Sequence, residues 1–253
     1  MIPALGAEWI KVFHALTPRI VTAALLPGVV AVSAAMLATA GRDDTALAMK
    51  VEAFTAESGW EGLHVLAGVI VANGGLLASG IMLSWLFGRE FVDRTMPGLF
   101  ALPTPLVAVA AAKLALYLGW LVAVTVAIPL LLGATGLMLG YGMPDAAVLS
   151  GLGKVSLICL LTGLLALPTA WVATRTRGYL APVGVVVGII VAAQLAVITG
   201  AGAWFPFAAP GLWAGIAGTG ADPAVGPVQL ALVVPVGMGF AALCLHAWQR
   251  LRI

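Results

Sequence analysis

The sequence predicts an all-α membrane protein, with six transmembrane helices, an N-terminal interfacial amphipathic helix ahead of them, and both termini cytoplasmic. Three observations carry this. Of the 253 residues, 62% are hydrophobic and 9% charged, with mean hydropathy +1.11, whereas soluble domains carry about 25% charged residues. Charged residues cut the chain into six apolar runs, each near or above the ~20 residues a spanning helix needs. Lys and Arg then fall mostly on one side of those runs, which sets the orientation. A net charge of +2 provides no basic groove for phosphates, so nucleic acid is excluded as a partner.

Positions 4–18 form the first element. Leu5, Trp9, Val12, Phe13, Leu16 and Ile20 recur at spacings of three and four, with Glu8, Lys11 and His14 on the other side. That pattern describes a helix lying in the inner interface, with Trp9, Lys11 and Phe13 among its anchoring residues. Thr17-Pro18 marks the elbow, because the residue before proline leaves the helical region.

The spans follow at about 20–40, 63–87, 106–132, 155–174, 180–203 and 228–248, giving one transmembrane domain over 1–253. Pro27, Pro129, Pro168 and Pro235 lie inside them, which spanning helices tolerate when neighbours re-satisfy the backbone. Ala38-Thr39-Ala40 looks like a cleavage site, but the run before it exceeds a 7–15-residue signal core, so the first run is kept as a helix. With the N-terminus inside, nine of the 12 Lys and Arg residues are cytoplasmic, and most acidic residues lie outside. An odd number of spans would break that asymmetry. The acidic first outer loop, 41–62, contains a short amphipathic stretch at Leu47–Phe54.

No Asp, Glu, Lys, Arg or His occupies the middle of a span, and Lys113 and Lys154 sit near span ends, where they can snorkel. Ionisable residues at depth mark proton relays, ion sites and haem ligands, so those functions lose support. No histidine is available to activate Ser79, and no G-x-x-x-x-G-K-[ST] loop is present to bind ATP. Cys159 and Cys244 lie within apolar runs and suit neither a disulfide framework nor a metal cluster. No catalytic residue and no metal site is expected. The remaining polarity is mild: Asn73, Ser84, Thr125 and Gln194 lead it, as helix-bridging or pathway residues. Gly136-x-x-x-Gly140 and Gly184-x-x-x-Gly188 allow close helix packing, within one chain or between two.

Two loops carry more information. In 88–105, Glu90 and Arg94 have the acid-first four-residue spacing of a helix pair. Pro97-Gly98 is expected to break the helix, leaving a hydrophobic knuckle, Leu99 to Leu102, closed by Pro103 and Pro105. An exposed knuckle needs a partner or the headgroup layer to cover it. The loop 204–227 holds Trp204, Phe205, Phe207, Pro210 and Trp213. It fits an aromatic belt or a short re-entrant lid over the exit of a pathway, and both readings need the same residues.

At the loop 88–105 the chain resembles the type-2 permeases of ABC exporters of the drug and peptide-antibiotic resistance type. Six spans follow an interfacial helix, and the loop reads Gly88-x-Glu90-x-x-x-Arg94-Thr95, then Leu102-Pro103, then Lys113. The basic residue usual after that proline is replaced by Thr104-Pro105. The resemblance implies that Glu90, Arg94, Thr95, Leu99, Phe100, Leu102 and Pro103 form a coupling piece docking on a cytoplasmic ABC ATPase. It also implies a homodimer or heterodimer with a second permease, and ATP and Mg held by the ATPase rather than by this chain.

The expected function is therefore a non-enzymatic permease subunit of an ABC exporter in the bacterial cytoplasmic membrane, surrounded by membrane lipids. Its apolar spans suit an amphiphilic drug, peptide antibiotic or lipid as cargo. The alternatives are a non-transporting anchor for a cytoplasmic complex and, ranked last, a secondary carrier.

Overall fold

A computed structural model describes residues 2–39, 54, 58–101, 103–218 and 225–251. Leu102, most of Leu47–Phe54 and Arg252 lie outside the described residues. Every described element is helical. Six helices are long and apolar enough to cross a membrane: Leu16–Thr39, Gly59–Val92, Leu106–Met138, Ala146–Thr176, Leu180–Ile198 and Pro227–Gln249, called here the first to sixth spans. At ~1.5 Å per residue all but the fifth exceed the roughly 30 Å of hydrocarbon, and the fifth nearly matches it.

The second and fourth spans form the centre. In their most apolar windows 61% and 67% of residues are buried, against 17% in the fifth and sixth. Apolarity all round is what a helix packed among other helices needs, and it is equally what a lipid-facing helix needs. Sequence alone therefore does not separate centre from edge.

Irregularities in the central spans have local causes. Residues Val71–Gly75 of the second span form a π-helical turn, the type of bulge that often marks a functional position. In the fourth span the helix is interrupted before Pro168. Ala166 and Leu167 donate to the carbonyls three residues earlier, at 3.1 and 3.2 Å, because proline has no N–H and its ring clashes with the preceding turn.

The amino-terminal helix, Ile2–His14, is separated from the first span by Ala15. The elbow thus precedes Thr17-Pro18. Pro18 lies in the first turn of the first span, where its missing N–H has no intrahelical partner in any case. Leu5, Trp9, Ile10 and Phe13 are exposed, Phe13 at 62%, while Glu8 is buried at 2%. Of the polar side of this helix, Glu8 therefore faces the bundle, Lys11 is half-buried and His14 remains exposed.

Four of the basic residues gather at one end of the bundle. Arg177 lies over the Phe91 ring, and Trp248 meets Phe87 and Phe91 edge-on at 5.9 and 6.3 Å. These contacts join the ends of the second, fourth and sixth spans into a basic face with Arg89, Arg175, Arg177 and Arg250. The opposite end carries the segment 202–214, part of the loop expected from the sequence to be an aromatic belt or a lid, and is called the lid face for that expectation alone.

Candidate functional site

At the basic face the second span ends at Val92. Arg94 takes φ 56°, Thr95 N donates to Glu90 O at 3.0 Å and Arg94 N to Phe91 O at 3.3 Å. This is a Schellman cap with arginine where glycine is usual, at a steric cost of about 1–2 kcal/mol. The break lies at Arg94, not at Pro97-Gly98. Pro97 instead starts a one-turn helix, Met96–Phe100, as proline can at a helix N-terminus. The Thr95 hydroxyl donates a short hydrogen bond to Glu90 Oε2. The cap therefore ties the start of the short helix to the last turns of the second span.

Glu90 does not pair with Arg94. Its Oε1 accepts from Lys113 Nζ at 3.1 Å and from Lys11 Nζ at 3.0 Å. Glu8 completes a four-residue ring, with Oε2 2.7 Å from Lys113 and Oε1 2.6 Å from Lys11. Lys113 is fully buried, at 0% exposure. It does not snorkel, because two carboxylates meet its charge within the protein. Two acids and two bases leave the ring formally neutral, which is what permits charge at this depth. Burial alone would lower the Lys11 pKa, but hydrogen bonds and charge from Glu8 and Glu90 outweigh it, and the ammonium is held above its ordinary 10.5.

The ring joins the amino-terminal helix, the second span and the third span, and through Thr95 it reaches the short helix. Pro97, Gly98, Ala101 and Pro103 are exposed, while Leu99 and Phe100 are half-buried, Leu99 against the main core. Of the residues expected in the coupling piece, Glu90 and Thr95 meet directly. Arg94 sets the turn and points outward. Trp9 and Phe13 stack at 5.4 Å on the exposed side of their helix, and Lys11 turns inward. Glu8 was not legible as a site residue. A lone lysine at 113 within an apolar run was the available signal, since such a charge requires an acid partner.

The lid face is built differently. Two short helices, Gly202–Trp204 and Ala209–Ala214, lie between the fifth and sixth spans. Ala214 is packed against Gly68, close enough that a Cβ there would touch it at 3.4 Å. Gly68 lies nine residues into the second span, about 14 Å from its start, so the segment enters the bundle. Phe207 and Pro210 line a small cavity of about 20 Å³ with Asn73, Thr162 and Gln194, room for about one water. Gln194 Nε2 donates to Asn73 Oδ1 at 3.0 Å, linking the π-turn of the second span to the fifth. The buried Thr162 hydroxyl has no hydrogen-bond partner among the described residues.

The other expected residues are apart from this cavity. Ser84 donates to Gly80 O of its own helix at 2.6 Å, which satisfies it locally. Thr125 is on the third span, its hydroxyl buried without a partner among the described residues. Phe205 contacts Phe207, with ring centroids 5.5 Å apart. Trp213 lies under Lys154 Nζ at 5.4 Å, and Trp204 is exposed.

Six spans of this length and composition make the chain a multi-pass membrane protein. The model of the ABC-2 family transporter proteins matches residues 5–193, from the amino-terminal helix well into the fifth span, and the chain belongs to that family. Such a chain is the membrane subunit of a transporter, and membership implies association with an ABC ATPase. No curated protein matches the chain.

Proposed function

We propose that the chain is the permease subunit of an ATP-driven exporter that moves an amphiphilic drug, peptide antibiotic or lipid outward across a bacterial cytoplasmic membrane. Both termini and the basic face are cytoplasmic in this reading, in keeping with the excess of Lys and Arg there. The observation that carries it is the Glu8–Lys11–Glu90–Lys113 ring, attached to Met96–Phe100 through Thr95. An ATPase seated on the exposed side of that short helix pushes on a turn that cannot yield alone. Glu90 passes the displacement to the third span through Lys113 and to the amino-terminal helix through Lys11. ATP and Mg are bound by the partner.

The apolar stripe of the amino-terminal helix lies in the headgroup layer, where Trp9 and Phe13 anchor it. A groove of about 440 Å³ between the first and second spans, lined by residues such as Ile20, Val32, Ile70 and Ile81, has the size and apolarity of a small-molecule site. That supports an amphiphilic cargo. Movement of the spans opens the aromatic lid. The fifth span supports pairing with a second permease, identical or related, because Gly184 and Gly188 have open space beside them.

The test is purification with the ATPase and reconstitution into vesicles. Glu90→Ala is expected to abolish cargo-stimulated ATP hydrolysis at least tenfold more strongly than Arg94→Ala, because only Glu90 belongs to the ring. A chain that transports in vesicles without an ATPase, driven by a proton or sodium gradient, would overturn the reading.

A further inference from the structure

We propose that the small cavity at the π-helical turn binds one ordered water, which joins Thr162 of the fourth span to Asn73 of the second and Gln194 of the fifth beneath the segment 202–214. Its volume of about 20 Å³ admits one water and no organic ligand. Thr162 is the residue that calls for it. Ser33, Ser84, Thr135, Ser156 and Thr174 each donate to the carbonyl four residues back in their own helix, the usual way for a helical hydroxyl to be satisfied. Thr162 does not. It is 2% exposed, its hydroxyl has no partner among the described residues, and it lines the cavity with Asn73 and Gln194. The residue is near the middle of its span, where hydrocarbon offers no hydrogen bond and an unmet hydroxyl is costly.

A water has enough partners here. Gln194 Nε2 donates to Asn73 Oδ1 at 3.0 Å, and Asn73 Nδ2 donates to Val69 O at 3.2 Å. A second lone pair on Asn73 Oδ1 and the Gln194 Oε1 remain as acceptors. The water accepts from the Thr162 hydroxyl and donates to these oxygens, within the two to four bonds that a buried water makes. A cation is a poorer occupant. Among the described residues no charged side chain lines the cavity, so the hydration it loses is not offset.

The cavity lies where four parts of the chain meet. Phe207 and Pro210 line it from the segment 202–214, and a Cβ at Gly211 would lie 3.8 Å from that of Ala72, next to Asn73. Among the described residues the Asn73–Gln194 pair has no direct hydrogen bond to the fourth span, so the water is its polar link to that span. Under the proposed function this link latches the lid segment shut. The water site itself does not rest on that reading.

The sign of one substitution tests the site. Thr162→Val keeps the shape and removes the hydroxyl. With the water bound, this strands one of its bonds and should lower the melting temperature of the purified chain in detergent by about 2–4 °C. Without it, the substitution removes a buried unmet hydroxyl, and the melting temperature rises; a rise or no change would overturn the proposal. The drop should vanish in an Asn73→Leu background, because the shared water is already lost. A drop that persists undiminished there would also overturn it. X-ray radiolysis of the wild-type chain needs no variant, because a bound water generates hydroxyl radicals in place. Leu165, 1% exposed and on the cavity wall, should be oxidised well ahead of Leu132, which is 0% exposed; equal rates would overturn the site. So would stabilisation of the wild type by sodium over choline that is lost in Thr162→Val, which would identify a cation site. The latch has its own readout. Ala208→Cys, at a position 2% exposed on the cavity wall, should react with a maleimide about fivefold faster once Thr162→Val is added. Equal reactivity would overturn the latch and leave the water site standing.

Discussion

The two ends of this bundle differ in the contacts that dominate between their helices. At the basic face, two acids and two bases from three separate helices form a closed ring around the fully buried Lys113. At the lid face, side chains lie on glycine. A Cβ at Gly136 would stand 2.2 Å from the Trp60 ring, and one at Gly151 would stand 2.2 Å from His64 Nδ1. Ion pairs inside a low-dielectric interior are strong and directional, and a lone partner left behind is costly. Ring-on-glycine contacts depend on fit, and separating them leaves no uncompensated buried charge. Under the proposed function, an input end that transmits force would gain from the first kind, and an outlet that opens and closes would gain from the second.

The largest expected effect comes from opening the ring. Lys113→Met leaves Glu8 and Glu90 with Lys11 alone and should destabilise the protein by about 3–5 kcal/mol. Adding Glu90→Gln restores neutrality and should recover part of that loss, so the double variant is more stable than Lys113→Met. Thermal unfolding in detergent reads both. A Lys113→Met chain that melts with the wild type would show that the charges do not hold the face together, and the contrast between the ends would disappear.

Six spans were legible in the sequence because hydrocarbon imposes a length and forbids free charge. The family was legible from the loop 88–105. The partners of Glu90 were not. Its spacing to Arg94 satisfied the local rule for a helix pair, but Arg94 lies beyond the end of the helix in a left-handed turn, where that rule does not apply. Lys11 and Lys113, 79 and 23 residues away along the chain, took its place. Glu8 was hidden by a similar ambiguity. An amphipathic stripe specifies which side of a helix differs from the other, but not whether the polar side meets water or a buried lysine. The lid segment was legible as aromatic and proline-broken. Its depth was not, because that depends on Gly68 accepting Ala214, a contact across 146 positions that no local pattern reports.

At the lid face the corresponding test is steric. Gly136→Ala places a methyl group against the Trp60 ring, whose Nε1 donates to Tyr141 O at 3.0 Å and is not free to move aside. Overpacking of this kind costs about 1–3 kcal/mol, less than opening the ring. The same substitution in a Trp60→Ala background should cost almost nothing, because the methyl group then occupies the vacated space. Melting temperatures of the four chains close the cycle. A Gly136→Ala cost that is unchanged without the tryptophan would place the clash elsewhere and remove the ring-on-glycine contact from the argument.

The smallest effect separates the exposed edge of the ring from its buried centre. Lys11 Nζ pairs with both carboxylates, yet its side chain is 31% exposed, against 0% for Lys113. Solvent screening therefore limits its contribution to about 1 kcal/mol or less. Because Glu8 and Glu90 hold its pKa above 10.5, that contribution is fully present below 10.5, where Lys11 is charged in both folded and unfolded chains. It disappears as pH rises through the raised folded value, since the unfolded chain releases its proton first. The melting temperature of wild type minus that of Lys11→Gln should be small, positive and constant from neutral pH to 10.5, and should shrink above it. A gap that stays flat through strongly alkaline pH would mean that Lys11 adds packing rather than charge. The ring would then consist of Glu8, Lys113 and Glu90 alone, carrying one net negative charge that burial should not tolerate.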